Sequence, residues 1–216
     1  SHETHDQAKD RANDAIRVDG RDLRCRVVAE GGNLGATQAG RIEYALAGGR
    51  IFTDAIDNSA GVDCSDHEVN LKIWLDAEVN AGKLETEERN RLLNQMTPDV
   101  VALVLRDNAL QTRLLVRETQ AQSDSTVREA YAALIARLEG EGVLSRKLEH
   151  LPDADELAAR AAEGKGLTAP ELAVVTAHVK NRYKRLLAEQ NLLAYPWAAA
   201  LLAPYFPVAL AQGRKP

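Results

Sequence analysis

Hydrophobic positions follow two regimes along the chain. Between Leu23 and Asp54 they form two short continuous runs, Arg26-Val27-Val28-Ala29 and Arg50-Ile51-Phe52-Thr53, each bounded by charge and followed by small or polar residues. Continuous apolar runs of this length predict buried parallel strands. Between them, Thr37 is placed to cap a helix with Ile42, Ala45 and Leu46 inward, and Gly48-Gly49 to end it. Strand, turn, helix and strand in that order make one right-handed crossover of a parallel sheet. Elsewhere the spacing is helical. His5 to Arg17 permits a helix stopped at Gly20, and Ser65-x-x-Glu68 has the form of a capping box opening a helix toward Asn80, with Val69, Ile73 and Trp74 available for burial and Ala81-Gly82 as its end. A short polar helix is expected over 85–95, after which Thr97-Pro98 marks a new N-cap with Pro at the first helical position and Val100, Leu103, Val104, Leu110 and Leu114 inward. Ser125 to Glu139 carries Val127, Ala130, Tyr131, Leu134, Ile135 and Leu138 on one face, and Thr168-x-x-Glu171 opens a last long helix with Leu172, Val175, Val179, Tyr183 and Leu186 inward. The apolar tail from Tyr195 to Tyr205, bracketed by prolines, is expected to pack on this bundle.

The fold class that follows is mixed α/β and predominantly helical: a partial Rossmann-type strand-helix-strand unit within residues 1–82, then an all-α domain over residues 83–216. Two strands do not make a stable sheet alone, so the pair either leans on the helices or belongs to a larger sheet. Composition agrees with a globular protein, 45% apolar and 27% charged over 216 residues. A formal net charge of -5 gives no broad electrostatic footprint for nucleic acid. Cys25 and Cys64 are too few for a disulfide framework and lie outside any Cys-x-x-Cys spacing, so reduced thiols are expected. No apolar run approaches the ~18 residues of a membrane span, and the N-terminus lacks a signal-peptide core, which predicts a soluble cytoplasmic protein with no membrane partner. The chain begins without Met and reads as an excised piece of a longer protein.

Candidate chemistry concentrates where the strand-like runs end, the position at which open α/β sheets hold ligands. Gly31-Gly32 permits positive φ and close backbone approach to a ligand, presenting Asn33, although the pair alone reads more simply as a plain turn. Asp57-Asn58-Ser59-Ala60-Gly61 follows the second run, and Ser65 stands open between a helix cap and a ligand contact. Asp63, Cys64, Asp66, His67 and Glu68 crowd potential metal ligands together, but adjacent residues of a helix diverge and no His pair has helical spacing, so no metal site is predicted. Cys64 reads as an inert packed thiol, and His178 as a packed or capping residue.

Two segments together resemble a family. Ala29-Glu30-Gly31-Gly32-Asn33 with Thr37, and Asp54-x-x-x-Asn58-Ser59-Ala60-Gly61-Val62-x-x-Ser65-x-x-Glu68, are similar to the distal half of the coenzyme domain of amino-acid dehydrogenases of the glutamate dehydrogenase type. Gly32, Leu34-Gly35-Ala36-Thr37-Gln38 and Ser59-Ala60 depart from the small hexameric members and resemble the very large bacterial NAD-specific enzymes. Met96-Thr97-Pro98, Leu105-Arg106-Asp107-Asn108 and Gly166-Leu167-Thr168-Ala169-Pro170-Glu171-Leu172-Ala173 resemble the helical C-terminal region of that class. The resemblance implies NAD as cofactor and L-glutamate and 2-oxoglutarate as ligands of a homo-oligomeric parent. It places Asn33 and Asn58 at the nicotinamide and its ribose, Gly32 among the cofactor-binding residues, and Ser65 at the substrate's side-chain carboxylate. No Gly-x-Gly-x-x-Gly turn and no counterpart of the family's catalytic Lys and Asp is found, so no catalytic residue is assigned and the isolated chain is expected to be inactive. The alternative is a helical interaction or regulatory module with a vestigial nucleotide-site edge.

Overall fold

The structure, a computed structural model, describes residues 4–32 and 35–213. Eleven α-helices run along the described residues: α1 His5–Ala8, α2 Gln38–Leu46, α3 Asp54–Asp57, α4 Ser59–Asn80, α5 Thr86–Ala121, α6 Ser125–Gly140, α7 Arg146–Glu149, α8 Ala154–Ala162, α9 Ala169–Ala188, α10 Pro196–Leu202 and α11 Val208–Gly213. The chain divides into two compact units, Ser1–Asp57 with Thr112–Arg185, and Asn58–Gln111 with Leu186–Pro216.

In the first unit the two strand-like runs lie parallel, as their order predicts, but they meet at one isolated bridge, Val27 to Arg50, rather than along a ladder. Val28 N–H donates to the Arg50 carbonyl at 2.9 Å and Arg50 N–H to the Arg26 carbonyl at 3.0 Å. No strand forms among the described residues, so of the expected strand-helix-strand unit the structure shows the helix and one parallel bridge. Val27, expected buried, is 61% exposed, and a pair this short has no third strand to complete its hydrogen bonding. What holds the pair in place is α2. Thr37 accepts from Gly40 N–H at 3.1 Å as the predicted cap, and Gly48 at φ +95° ends the helix. Ile42 and Tyr44 are buried, whereas Leu46 points outward. The Tyr44 ring lies against Gly49, where an added Cβ would sit 2.2 Å from Cζ, and its hydroxyl donates to the Cys25 carbonyl at 2.8 Å. The predicted helix His5 to Arg17 shortens to α1, which Lys9 closes in the left-handed region.

The core of this unit gathers Leu115, Ile135, Leu138, Leu144, Leu151, Leu167, Leu172 and Val175, with Phe52 and Ile56 against it. Helices α6 and α9 supply most of the predicted inward residues, although Ala130 of α6 is exposed. Tyr183 and Leu186, predicted inward on α9, are 62% and 44% exposed. At the start of α9, Glu171 is fully buried and accepts from Thr168 N–H at 2.6 Å and Thr168 Oγ1 at 2.7 Å, and Arg160 Nη1 reaches both of its oxygens at 2.9 Å. The motif Gly166 to Ala173 is therefore structural throughout: an added Cβ on Gly166 would collide with Gln122, and Pro170 occupies the first helical turn, where its missing N–H costs nothing.

The second unit packs Leu71 and Leu75 of α4 with Leu84, Met96 and Leu210, and Trp74 and Phe206 close over them. This core draws on both sides of Gly82, whose φ of +69° ends α4 as predicted. Val69 and Ile73 are 50% and 64% exposed, because the buried stripe runs His67, Leu71, Leu75 instead. Helix α5 absorbs the two helices expected on either side of Thr97-Pro98, with Pro98 inside it. Proline removes a single intrahelical bond, and Leu92, Leu93, Met96 and Val100 on one packed stripe offset that loss. Leu110 and Leu114, predicted inward, are 52% and 45% exposed. In the tail, Tyr195, Trp197, Leu201 and Leu202 are exposed, and Phe206 and Leu210 do the packing.

Candidate functional site

The turn after the first extended run is held by charge. Arg41 of α2, 5% exposed, donates through Nη2 to Glu30 Oε2 at 2.6 Å and lies 3.6 Å from Asp54 Oδ1. Glu30 also accepts from Gly35 N–H, and its own N–H donates to Asp57 Oδ2 at 3.1 Å. Glu30 and Asp54 thus share one buried guanidinium, and Asp57 joins them through the Glu30 backbone. Burial pushes the Asp57 carboxyl up, Glu30 and Asp54 add like charge, and the Glu30 N–H and Arg41 oppose the shift. Gly31 and Gly32 are exposed, and a Cβ added to either would meet no described residue within 4 Å. Neither has the positive φ that the pair permits. Asn33 lies outside the described residues.

Asn58 stands immediately before α4, and its side chain makes no capping bond to the helix. Asn108 Nδ2 of α5 donates to Ser59 Oγ at 2.8 Å. Ser65 does not open a helix. It sits inside α4, exposed, and Glu68 turns to Lys72 Nζ at 2.5 Å rather than back to Ser65. The helix starts earlier because nothing from Ser59 to Cys64 interrupts it, and Gly61 falls in the first turn. Asn58 and Ser65 are seven positions apart, so they occupy one stripe separated by about 10.5 Å along the axis. Val62 and Val69, 66% and 50% exposed, complete this stripe. It offers an amide that donates and accepts and a hydroxyl that does both, with apolar surface between.

On the inward side of α4, Asp63 and His67 are one turn apart and Asp107 of α5 approaches them, with one ligand atom from each within 4.8 Å of the others. His67 is fully buried, stacks on Tyr205 with centroids 4.3 Å apart, and has its Nε2 3.8 Å from Asp63 Oδ1. Burial raises the Asp63 carboxyl, with His67 and Arg106 opposing and Asp107 and Asp66 adding to the rise. Sequence reading placed Asp63 and His67 in one cluster but missed Asp107, whose only signal was its place in Leu105-Arg106-Asp107-Asn108. Cys64, expected packed, is exposed, and His178 pairs with Glu149 Oε1 at 2.9 Å.

Residues 1–118 match the family described as bacterial NAD-glutamate dehydrogenase, catalytic domain. The chain belongs to this family. Residues 164–214 match a second description, glutamate dehydrogenase, C-terminal. Among curated relatives, the NAD-specific glutamate dehydrogenase of Mycobacterium tuberculosis is 47% identical over 203 residues, 94% of this chain and 12% of the relative. Those of Halomonas elongata and Pseudomonas aeruginosa are 44% and 46% identical over 213 residues, 98% of this chain and 13% of each relative. The chain therefore spans about an eighth of the length of the curated relatives it matches. The resemblance read from Ala29–Asn33 and Asp54–Glu68 falls within the first matched region, and the Gly166–Ala173 motif within the second. Among the described residues, no helix is long and apolar enough to cross a membrane.

Proposed function

We propose that this chain is the part of an NAD-dependent glutamate dehydrogenase that positions the nicotinamide and the substrate's side-chain carboxylate. The reaction of the whole enzyme is oxidation of L-glutamate by hydride transfer to NAD, followed by hydrolysis of the imine to 2-oxoglutarate and ammonia. In this reading Gly32 and Asn33 lie at the coenzyme, Asn58 presents its amide to the nicotinamide and ribose, and Ser65 donates its hydroxyl to the distal carboxylate. The phosphate turn and the proton-transferring Lys and Asp belong to the rest of the parent, a cytoplasmic homo-oligomer. Residues 1–82 act as the partial Rossmann-type segment and residues 83–216 as helical support, a division of labour rather than of packing.

The observation that carries the reading is the single stripe of α4. Ser65, inside α4 rather than at its start, is exposed on the same face as Asn58. The open space over Gly31 and Gly32 suits backbone approach by a cofactor, since no described residue crowds a Cβ there. The test is the pair of Michaelis constants in a full-length enzyme carrying this sequence. Substitution at Asn58 is expected to raise KM for NAD, and substitution at Ser65 to raise KM for glutamate; the reading fails if neither constant moves.

A further inference from the structure

We propose that Asp63, His67 and Asp107 bind a divalent cation of the zinc class, clamping α4 to α5 behind the Asn58 and Ser65 stripe. Three buried polar atoms on two adjacent turns have no hydrogen-bond partner: His67 Nδ1, His67 Nε2 and Asp63 Oδ2. Buried polar atoms in folded proteins are partnered in roughly nine cases of ten, so a fully buried imidazole with neither nitrogen engaged points to a missing ligand. A hydrogen-bonded His-Asp pair does not supply it. Nε2 is 3.8 Å from Asp63 Oδ1, beyond hydrogen-bond distance. A cation bound by one ring nitrogen and two carboxylates engages that nitrogen and the Asp63 carboxylate, and neutralises two acidic groups that otherwise face each other.

The surroundings are organised as a metal site requires. Stacking on Tyr205 at an interplanar angle of 19° fixes the imidazole plane, and Asn70 Nδ2 donates to the Tyr205 hydroxyl at 2.7 Å. Arg106 Nε donates to Asp107 Oδ1 at 2.9 Å and orients that carboxylate. One imidazole with two carboxylates suits Zn2+ and its first-row neighbours and disfavours Mg2+ and Ca2+, which prefer all-oxygen shells. Ligand bonds of about 2.0–2.2 Å put tetrahedral donors ~3.3 Å apart, so the donors must close by ~1.5 Å at most. The two half-buried aspartates can make that movement by side-chain rotation.

The test is equilibrium dialysis of the 216-residue chain against Zn2+, with metal content and thermal midpoint both measured. Exposed Cys25 and Cys64 would bind zinc on their own, so the experiment uses a Cys25→Ser, Cys64→Ser background. One equivalent retained, with a raised midpoint, is expected. Asp107→Asn, at a half-buried site on the long helix, should keep its helicity and lose affinity tenfold or more, and His67→Gln should do the same. The proposal is overturned if the folded background chain retains no zinc, which would leave a bare His and acid cluster. Zinc retained equally by a folded Asp107→Asn chain overturns it too, since the metal then sits elsewhere.

Discussion

Arg160→Met should be among the most damaging single substitutions in the first unit. Glu171 has no exposed surface, and Arg160 is the cation that reaches it, with Nη1 2.9 Å from both carboxylate oxygens. Removing one partner of a buried ion pair leaves an uncompensated charge and costs about 3–5 kcal/mol. Glu171 would keep the Thr168 N–H and hydroxyl, which argues for the lower end, about 3 kcal/mol. At about 2–4 °C per kcal/mol for a chain of this size, the thermal midpoint should fall by roughly 6–12 °C. Glu171→Met should cost less, because Arg160 retains Glu156 Oε1 at 2.6 Å, a partner that is 52% exposed and able to follow it. The double substitution should be milder than the sum of the two by about 2 kcal/mol, since no lone charge remains. Urea unfolding followed by circular dichroism, with all variants sharing one denaturant slope, gives these differences directly. A loss under about 1 kcal/mol for Arg160→Met, or additive single and double substitutions, would refute the reasoning and leave the motif Gly166 to Ala173 without its structural explanation.

Asp57→Asn should stabilise the chain at neutral pH. Burial raises the folded-state pKa of Asp57, so the folded chain holds that proton more tightly, and the Asp57 contribution weakens as pH rises from the ordinary carboxylate value through the raised one. The advantage of Asn should therefore vanish below the carboxylate range, and a pH series of urea midpoints checks it; a constant advantage contradicts the assignment. Gly20→Ala should cost about 1–3 kcal/mol, because the new Cβ would sit 2.4 Å from the Gly40 carbonyl oxygen and 2.9 Å from Tyr44 N, both backbone atoms that cannot yield. A midpoint unchanged in Gly20→Ala would show that α2 does not seat on this glycine.

Local signals were legible where the chain gave them an unambiguous start. Thr168-x-x-Glu171 and Ser65-x-x-Glu68 have the same spacing, yet only the first works at a helix end. Gly164, at φ +71°, breaks the chain before Thr168, whereas Ser65 follows a run already helical from Ser59. Thr97-Pro98 misled in the same way, since a proline that can start a helix can also be carried inside a well-packed one. The two strand-like runs were legible in place and direction, but their number of partners was not, so a predicted unit became one bridge. The family-bearing segments identified the chain, while Asp107 became visible only once α5 was folded against α4, because contact across such a sequence distance has no local pattern.

The most direct measurement of the central claim is the glutamate KM of a full-length enzyme with Ser65→Asp. Ser65 is exposed in the interior of α4, so Asp costs only a few tenths of a kcal/mol of helix propensity and the enzyme should fold with near-parental stability. A carboxylate there would face the substrate's own carboxylate, a like-charge encounter of more than about 1.4 kcal/mol, so KM for glutamate should rise at least about tenfold. KM for NAD should hold. An unchanged glutamate KM in a folded Ser65→Asp enzyme would contradict the account and leave α4 as packing alone.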